Sequence, residues 1–443
     1  PSCSCCASAA QTCRARAGAR ASRSDCRHRL PHRPAWKLAQ SKAVQTVFVA
    51  PGNAGTAAEP KCQNVDINPT DFASLSSFAE HNDCQLTVVG PEAPLVDGIV
   101  DHFDQLGLRC FGPSAAAAQL EGSKAFTKDF LARHDIPTGA YATFVEAEAA
   151  CDYIRRQGAP IVVKADGLAA GKGVIVAMTI EQAEAAARDM LSGNAFGEAG
   201  ARVVIEEFLS GEEASFIVMV DGTDVQTMAT SQDHKRVGEG DSGPNTGGMG
   251  AYSPAPVVTP AIHQRVIEEI ITPTVEGMLQ DGNRYRGFLY AGLMIDDTGA
   301  PKVIEFNCRF GDPETQPIMM RLESDLVQHC LAACSGSLGN ESVLWSQDAT
   351  IGVVLASEHY PESSPTGLPI AGLNAGPESV KVFHAGTRTE AGSVVTSGGR
   401  VLCVTAKAPS LSEAAKLAYS AASNISWQGM KFRSDIGWRA LER

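Results

Sequence analysis

The sequence predicts an α/β protein built in three parts. Three observations predict it: a strand and helix alternation after Ala35, a strand, glycine turn and strand over Ile161 to Ala177, and short β-branched runs closing the chain. With 443 residues, 44% of them hydrophobic, the chain can bury a sizeable core without disulfides or metals. The apolar runs Phe216 to Val220 and Phe288 to Ile295 are far shorter than the ~18 residues of a membrane span. A formal charge of −13 would repel nucleic acid and anionic membranes, so neither is expected as a partner. Any phosphate must be met by a local site.

Residues 1–34 differ from the rest. They hold seven Arg, no Lys and one acid (Asp25), net +6, which leaves −19 for the other 409 residues. They also carry Cys3, Cys5, Cys6, Cys13 and Cys26; the first three are crowded together, and no paired cysteine cluster lies downstream to complete a metal site. A transit peptide, a disordered leader or an out-of-frame translation would each explain the segment, and the last is the expectation taken here. The eight other cysteines are scattered from Cys62 to Cys403, as thiols of a reducing compartment are, which points to the cytoplasm.

Residues 35–119 alternate regularly. Val44 to Ala50, Leu86 to Gly90 and Leu108 to Phe111 read as strands ended by Gly or Pro, with helices over Asp71 to His81 and Leu95 to Leu106. This βαβ rhythm implies a Rossmann-like parallel sheet whose ligands sit at the strands' C-terminal ends. Ala-rich Ser114 to Leu120 marks a boundary, and a helix follows over Lys124 to Arg133.

Residues 120–340 are richest in chemistry. Between the strands of Ile161 to Ala177, Gly167, Gly171 and Gly173 allow backbone N–H groups to approach a polyphosphate, and Lys172 adds charge. The spacing and the following Gly173 exclude a Walker loop. Lys164, after three apolar strand residues, needs a site to point into. In Val203 to Leu209, Glu206 and Glu207 take opposite faces of a strand, so at most one points inward. Ala291 to Ile295 and Pro301 to Asn307 form a hairpin-like pair in which Glu305 and Asn307 share a face, a donor set for a hard cation, with Arg309 at the same parity. His134 and His384 read as structural. In the tail, residues 345–443, Ala349 to Leu355, Val380 to His384, Val394 to Thr396 and Arg400 to Thr405 read as strands and Ser412 to Ala422 as a helix with Ser412 at its N-cap. Gly398 to Arg400 reads as a turn.

Lys164 to Val174, Ile205 to Leu209 and Ile304 to Glu314 resemble the ATP-grasp superfamily. Leu120-Glu-Gly-Ser-Lys-Ala-Phe126, Ser231-Gln-Asp-His-Lys-Arg236 and Gly243-Pro-Asn-Thr-Gly-Gly-Met-Gly-Ala-Tyr252 are similar to the glycinamide ribonucleotide synthetase family of purine biosynthesis, from Ala35 onward. The resemblance implies an ATP-grasp central domain, with a lid at about 141–210, and a small β-rich C-terminal domain. It implies an ATP-dependent ligase joining glycine to 5-phosphoribosylamine through glycyl phosphate, a monomer using ATP and Mg²⁺ or Mn²⁺. Lys124, Lys164, Gly167, Leu168, Gly171, Lys172, Gly173, Glu206, Glu207, Leu209 and Glu213 would hold the nucleotide, and Glu305 and Asn307 the metal. Arg309, Lys164 and Asp233 would stabilise charge at the reacting centre. Candidate surfaces for glycine and the sugar phosphate include Asn53, Gly55, Thr56, Glu92, Asp233, Lys235, Asn245, Thr246, Gly247, Arg309 and Asp312.

One departure stands out: the opening strand and glycine-rich stretch of the family are replaced by the basic leader. The expectation is therefore a first domain lacking its central strand, with an unpaired edge and doubtful turnover. Two alternatives are a bicarbonate-consuming ATP-grasp carboxylase and a nucleotide-binding protein without activity.

Overall fold

The βαβ alternation builds a five-stranded sheet in the order Cys62–Asn64, Val44–Ala50, Cys3–Ser8, Cys84–Val89, Cys110–Phe111, with every neighbouring pair parallel. The computed structural model describes residues 3–8, 32–168, 173–192, 197–373 and 376–443. The expected gap at the centre of this sheet is filled. Cys3–Ser8 pairs with Val44–Ala50 on one side and Cys84–Val89 on the other. A parallel ladder is made of backbone N–H and C=O groups, so the unusual composition of that segment does not prevent it from pairing. The folded domain also starts earlier than Ala35: the helix His32–Ala39 buries His32 and Arg33 along with Ala35 and Leu38.

Local signals account for most helix ends. Asp71 caps Phe72–His81 by accepting from the Ser74 N–H, and Ser123 caps Lys124–Arg133 by accepting from the Phe126 N–H. The helix expected over Leu95 to Leu106 is two, Glu92–Val96 and Ile99–Gln105, because Gly98 between them has φ of 90°, outside the helical range. In the tail, Ser410, not Ser412, caps Leu411–Ala422; its side chain accepts from the Glu413 N–H.

Two four-stranded antiparallel sheets form the centre of the molecule. One runs Tyr141–Phe144, Val203–Glu207, Ile161–Ala165, Val174–Ala177; the other runs Val225–Thr227, Glu212–Val220, Gly287–Ile295, Pro301–Asn307. The sheets touch where Thr138 bridges Val303 and where Lys164 Nζ donates to the Ile304 carbonyl at 3.0 Å. The last large sheet does not respect a division near residue 345. Its order is Gln232–Asp233, Gly250–Ser253, Ala349–Ala356, Arg400–Ala408, Val380–His384, so two mid-chain strands complete the sheet of the tail. Met249 and Tyr252 join its core beside Ile351, Val353 and Val404.

Candidate active site

Paired strands set one half of the site. Ile161–Ala165 and Val203–Glu207 are antiparallel neighbours, with Val162 opposite Glu206 and Lys164 opposite Val204. Along the second strand Val203 to Glu206 are all buried, and Glu207 at its end is exposed. Glu206 is gripped by two lysines: Oε1 lies 2.9 Å from Lys164 Nζ and Oε2 lies 2.8 Å from Lys128 Nζ. Burial alone would raise the Glu206 pKa, but the two ammonium groups reverse this and hold it below the usual carboxylate range. Lys128 also donates to Thr138 Oγ1 at 2.7 Å. Two ammonium groups on one carboxylate leave one positive charge in excess, and a buried excess of that kind favours an anionic ligand.

Lys124 opens its helix and donates to the Gly167 carbonyl at 3.1 Å, tying helix to turn. The turn is anchored on its other side by Asp166, which accepts from Ser123 Oγ, the Ala125 N–H and Arg202. A Cβ on Gly167 would come within 2.8 Å of Ala199 Cβ, so only glycine fits there. Leu168 is exposed, and Gly173 accepts from the Ala165 N–H. Gly171 and Lys172 lie outside the described residues. Glu207 turns to accept from the Ala140 N–H at 3.0 Å, and Leu209 lies beside Gly139.

The opposite half is acidic. Glu305 and Asn307 sit on Pro301–Asn307 opposite Gly292 and Tyr290. Lys235 Nζ lies 2.7 Å from Glu213 Oε2 and 3.9 Å from Glu305 Oε1. Burial pushes Asp233 up to about 8; Lys235 opposes the shift, while Glu314, Glu213 and Glu305 add to it. Arg309 is bracketed by Glu92 at 3.1 Å and Glu121 at 2.9 Å. Burial takes Glu121 up to about 7 in spite of that arginine, and its other oxygen accepts from the Cys308 N–H at 2.7 Å.

Other predicted residues are spent inside the protein. Asn53 caps Ala54–Ala58 through its Oδ1 and donates from Nδ2 to the His384 and Ala385 carbonyls at 3.0 and 3.2 Å. Thr56 Oγ1 donates to Asn64 Oδ1, and a Cβ on Gly55 would collide with His32. Asn53 thereby ties the first domain to the tail, and Thr56 ties the helix to Asn64. Asp312 likewise bridges two buried guanidinium groups, Arg33 at 2.7 Å and Arg400 at 2.6 Å. Thr246 is turned inward, donating to the Lys235 carbonyl, and Gly247 donates its N–H to Tyr360. Asn245 pairs with Arg236 across a two-stranded ribbon.

Among the described residues no group of three or more His, Cys, Asp or Glu side chains could enclose a metal. Glu305 with Asn307 instead offers two oxygen donors, suited to a hard cation that completes its shell with phosphate and water. Burial would raise the Glu305 pKa, but Lys235, Lys164, Lys124 and Arg309 keep it below its ordinary value, so the carboxylate is charged as a ligand must be.

Three stretches match the phosphoribosylglycinamide synthetase family: its N domain at residues 31–121, its ATP-grasp (A) domain at 122–315 and its C domain at 350–439. This chain belongs to that family. The phosphoribosylamine–glycine ligase of Vibrio parahaemolyticus is 66% identical over 413 residues, covering 93% of this chain and 96% of the relative. That of Escherichia coli O157:H7 is 65% identical over 414 residues, with the same coverage. The crystal structure of the ligase from Thermotoga maritima superposes with a TM-score of 0.80 at 30% identity, covering 98% of this chain and all of that one. A biotin carboxylase domain from Hydrogenobacter thermophilus, solved with MgADP and bicarbonate, shares the fold with a TM-score of 0.70 at 16% identity. The chain is therefore an ATP-grasp ligase, and its N-domain match from residue 31 agrees with a folded domain that starts before Ala35.

Sequence reasoning passed over Lys128, Glu121, Glu314 and Tyr290. Lys128 follows Lys124 by one helical turn, a spacing that places both on one face. Glu121 stood inside a motif already singled out. Glu314 accepts from Ser215 Oγ at 2.9 Å, and Ser215 Oγ lies 3.1 Å from the Tyr290 hydroxyl; their separation in sequence gives no local signal.

Proposed function

We propose that this chain joins glycine to 5-phosphoribosylamine, giving glycinamide ribonucleotide, ADP and phosphate. The observation that carries the reading is the convergence of two sheets, with Lys164 donating to the carbonyl beside Glu305. A triphosphate lying there meets the excess positive charge of Lys128, Glu206 and Lys164 on one side and the oxygen donors Glu305 and Asn307 on the other. Lys124, Gly167, Leu168 and Gly173 flank its phosphates. Glu207 and Leu209 border the base, and Glu213 is close enough for the ribose. Mg²⁺ or Mn²⁺ on Glu305 and Asn307 would neutralise phosphate charge.

The glycine carboxylate then attacks the γ-phosphorus, the β–γ bridging oxygen leaves with ADP, and glycyl phosphate results. The amine of phosphoribosylamine attacks the acyl carbon, loses a proton, and phosphate departs. No side-chain nucleophile is required, so the contribution of the protein is positioning, charge stabilisation and exclusion of water. Arg309, held by Glu92 and Glu121, is oriented for a carboxylate or phosphate through its guanidinium fork. Asp233 and Lys235 lie where the glycine ammonium and the reacting phosphate would meet.

We propose that the enzyme is a monomer and, from the buried and half-buried free thiols among the described residues, that it works in the cytoplasm. The domains proposed are 35–119, extended back to His32 and joined by the strand Cys3–Ser8, then 120–340 and 345–443. The test is ADP release in the full chain, expected only with glycine and phosphoribosylamine together and lost in Glu305→Ala. Release driven by bicarbonate would instead favour a carboxylase, and ATP protection against heat without ADP release would make it a binding protein.

A further inference from the structure

We propose that His234 is a positioning residue for the reaction, holding Asp233 and Lys235 in place because the C-terminal segment from Arg433 to Arg443 locks its ring. The inference rests on the reading that Asp233 and Lys235 face the reacting groups.

His234 lies between these two residues in sequence and points away from the cleft, where its side chain is fully buried. Its Nε2 accepts the Gly437 N–H at 2.9 Å, and its Nδ1 lies 3.3 Å from Asp241 Oδ1. A backbone donor at Nε2 requires that nitrogen to carry a lone pair, so the proton sits on Nδ1 and is given to Asp241. Burial, together with Arg433 and Arg439, favours this neutral form and outweighs the pull of Asp241. The backbone of His234 is fixed too, donating to the Gly250 carbonyl at 2.9 Å and accepting from the Met249 N–H at 2.7 Å.

Asp241 is the hub. Oδ1 accepts from Arg433 Nη1 at 2.8 Å; Oδ2 accepts from Trp438 Nε1 at 3.2 Å and Arg439 Nη2 at 2.5 Å. Arg433 is itself buried, donates to the Arg236 carbonyl at 3.0 Å and forms a two-pronged pair with Asp435. The last residue, Arg443, reaches Glu212, the neighbour of Glu213. The terminal segment thus grips the residue beside each partner of the Lys235–Glu213 ion pair. The nucleotide side depends on different elements, with Lys128, Lys164 and Glu206 held by one another, Thr138 and Ile304. Loosening the lock at His234 and Asp241 should therefore disturb Asp233 and Lys235 and spare the Lys128, Glu206 and Lys164 cluster.

The experiment uses the full chain and measures kcat and the KM of each substrate by ADP release, beside melting temperature. His234→Asn keeps a donor toward Asp241 and loses the acceptor for Gly437; His234→Gln does the reverse; Asp241→Asn discharges the hub. Each is expected to lower kcat by about tenfold or more and to raise the glycine KM, with the ATP KM within about twofold of the parent. Unchanged kcat and glycine KM in all three would overturn the inference, as would a rise in ATP KM that tracks a falling melting temperature, the mark of a purely structural role. Arg439→Gln, on a half-exposed side chain, decides if the others do not fold: about a threefold fall in kcat at constant ATP KM supports the lock, and an unaltered kcat refutes it. Asp233→Asn separates the two layers. If it abolishes turnover while the His234 variants do not, the lock alone fails; if it too is silent, the reading of Asp233 fails.

Discussion

The two halves of the cleft solve opposite electrostatic problems. On the half proposed for the nucleotide, two lysines share one carboxylate, so Glu206 is held ionised and a positive charge remains in excess. On the acceptor half, Asp233, Glu213, Glu305 and Glu314 crowd one lysine, and Asp233 is pushed up to about 8. The first half is complete only with an anion, the second only with a cation or a proton. A triphosphate carrying a metal ion and an amino acid carrying an ammonium group supply both, so each half is expected to fail in its own way.

The largest effect is expected from Lys164→Met, which should lower kcat/KM for ATP by roughly two to three orders of magnitude, since the variant loses a preorganised cation beside the transferred phosphate. A titration with ATP at saturating glycine measures it, and the comparison breaks if glycine KM changes as much. Next, Asp233→Asn should cut turnover about 10- to 100-fold while ATP continues to protect the protein against heat, as followed by melting with and without nucleotide. Lys128→Met should be milder, raising ATP KM about tenfold, because Glu206 would then neutralise Lys164 and leave no excess charge.

The proton balance gives a further test. The folded pKa of Asp233 is raised from 3.8 to about 8, so between those values the folded form binds a proton that the unfolded chain lacks. Stability from this group is thus lost as pH climbs from about 4 to 8. The melting temperature of the parent should fall more steeply over that range than that of Asp233→Asn, and equal slopes would remove Asp233 from the account. The smallest effect is expected from Asn53→Ala, at a residue that caps a helix and bonds to the tail: about 1–2 kcal/mol of stability for a lost cap, read in denaturant, with no KM altered.

Much of this was legible in the sequence where a short-range rule applies. Period-two alternation is enough to put Glu206 and Glu207 on opposite faces, without saying which is buried, and to put Glu305 and Asn307 on one face, and an isolated lysine closing an apolar strand marked Lys164. What escaped depends on contacts between distant residues. Lys128 gave no sign that its partner was Glu206, and Asn53 looked like an open turn because the His384 carbonyl that occupies it is 331 residues away. Asp241 and Arg433 are 192 apart, again beyond any local pattern. The leader misled for another reason: composition reports side chains, whereas membership of a parallel sheet is decided by the backbone, and Cys3–Ser8 pairs on both edges.

The sheet shared by mid-chain and tail bears on synthesis. Gln232–Asp233 pairs with Gly250–Ser253 early, but Gly250–Ser253 finds its other neighbour only after Ala349–Ala356 has emerged from the ribosome. A nascent chain halted before residue 349 would hold Lys128, Lys164 and Glu206 yet leave the two-stranded ribbon bearing Asp233 with one side unpaired, so the half around Asp233 matures after the lysine cluster.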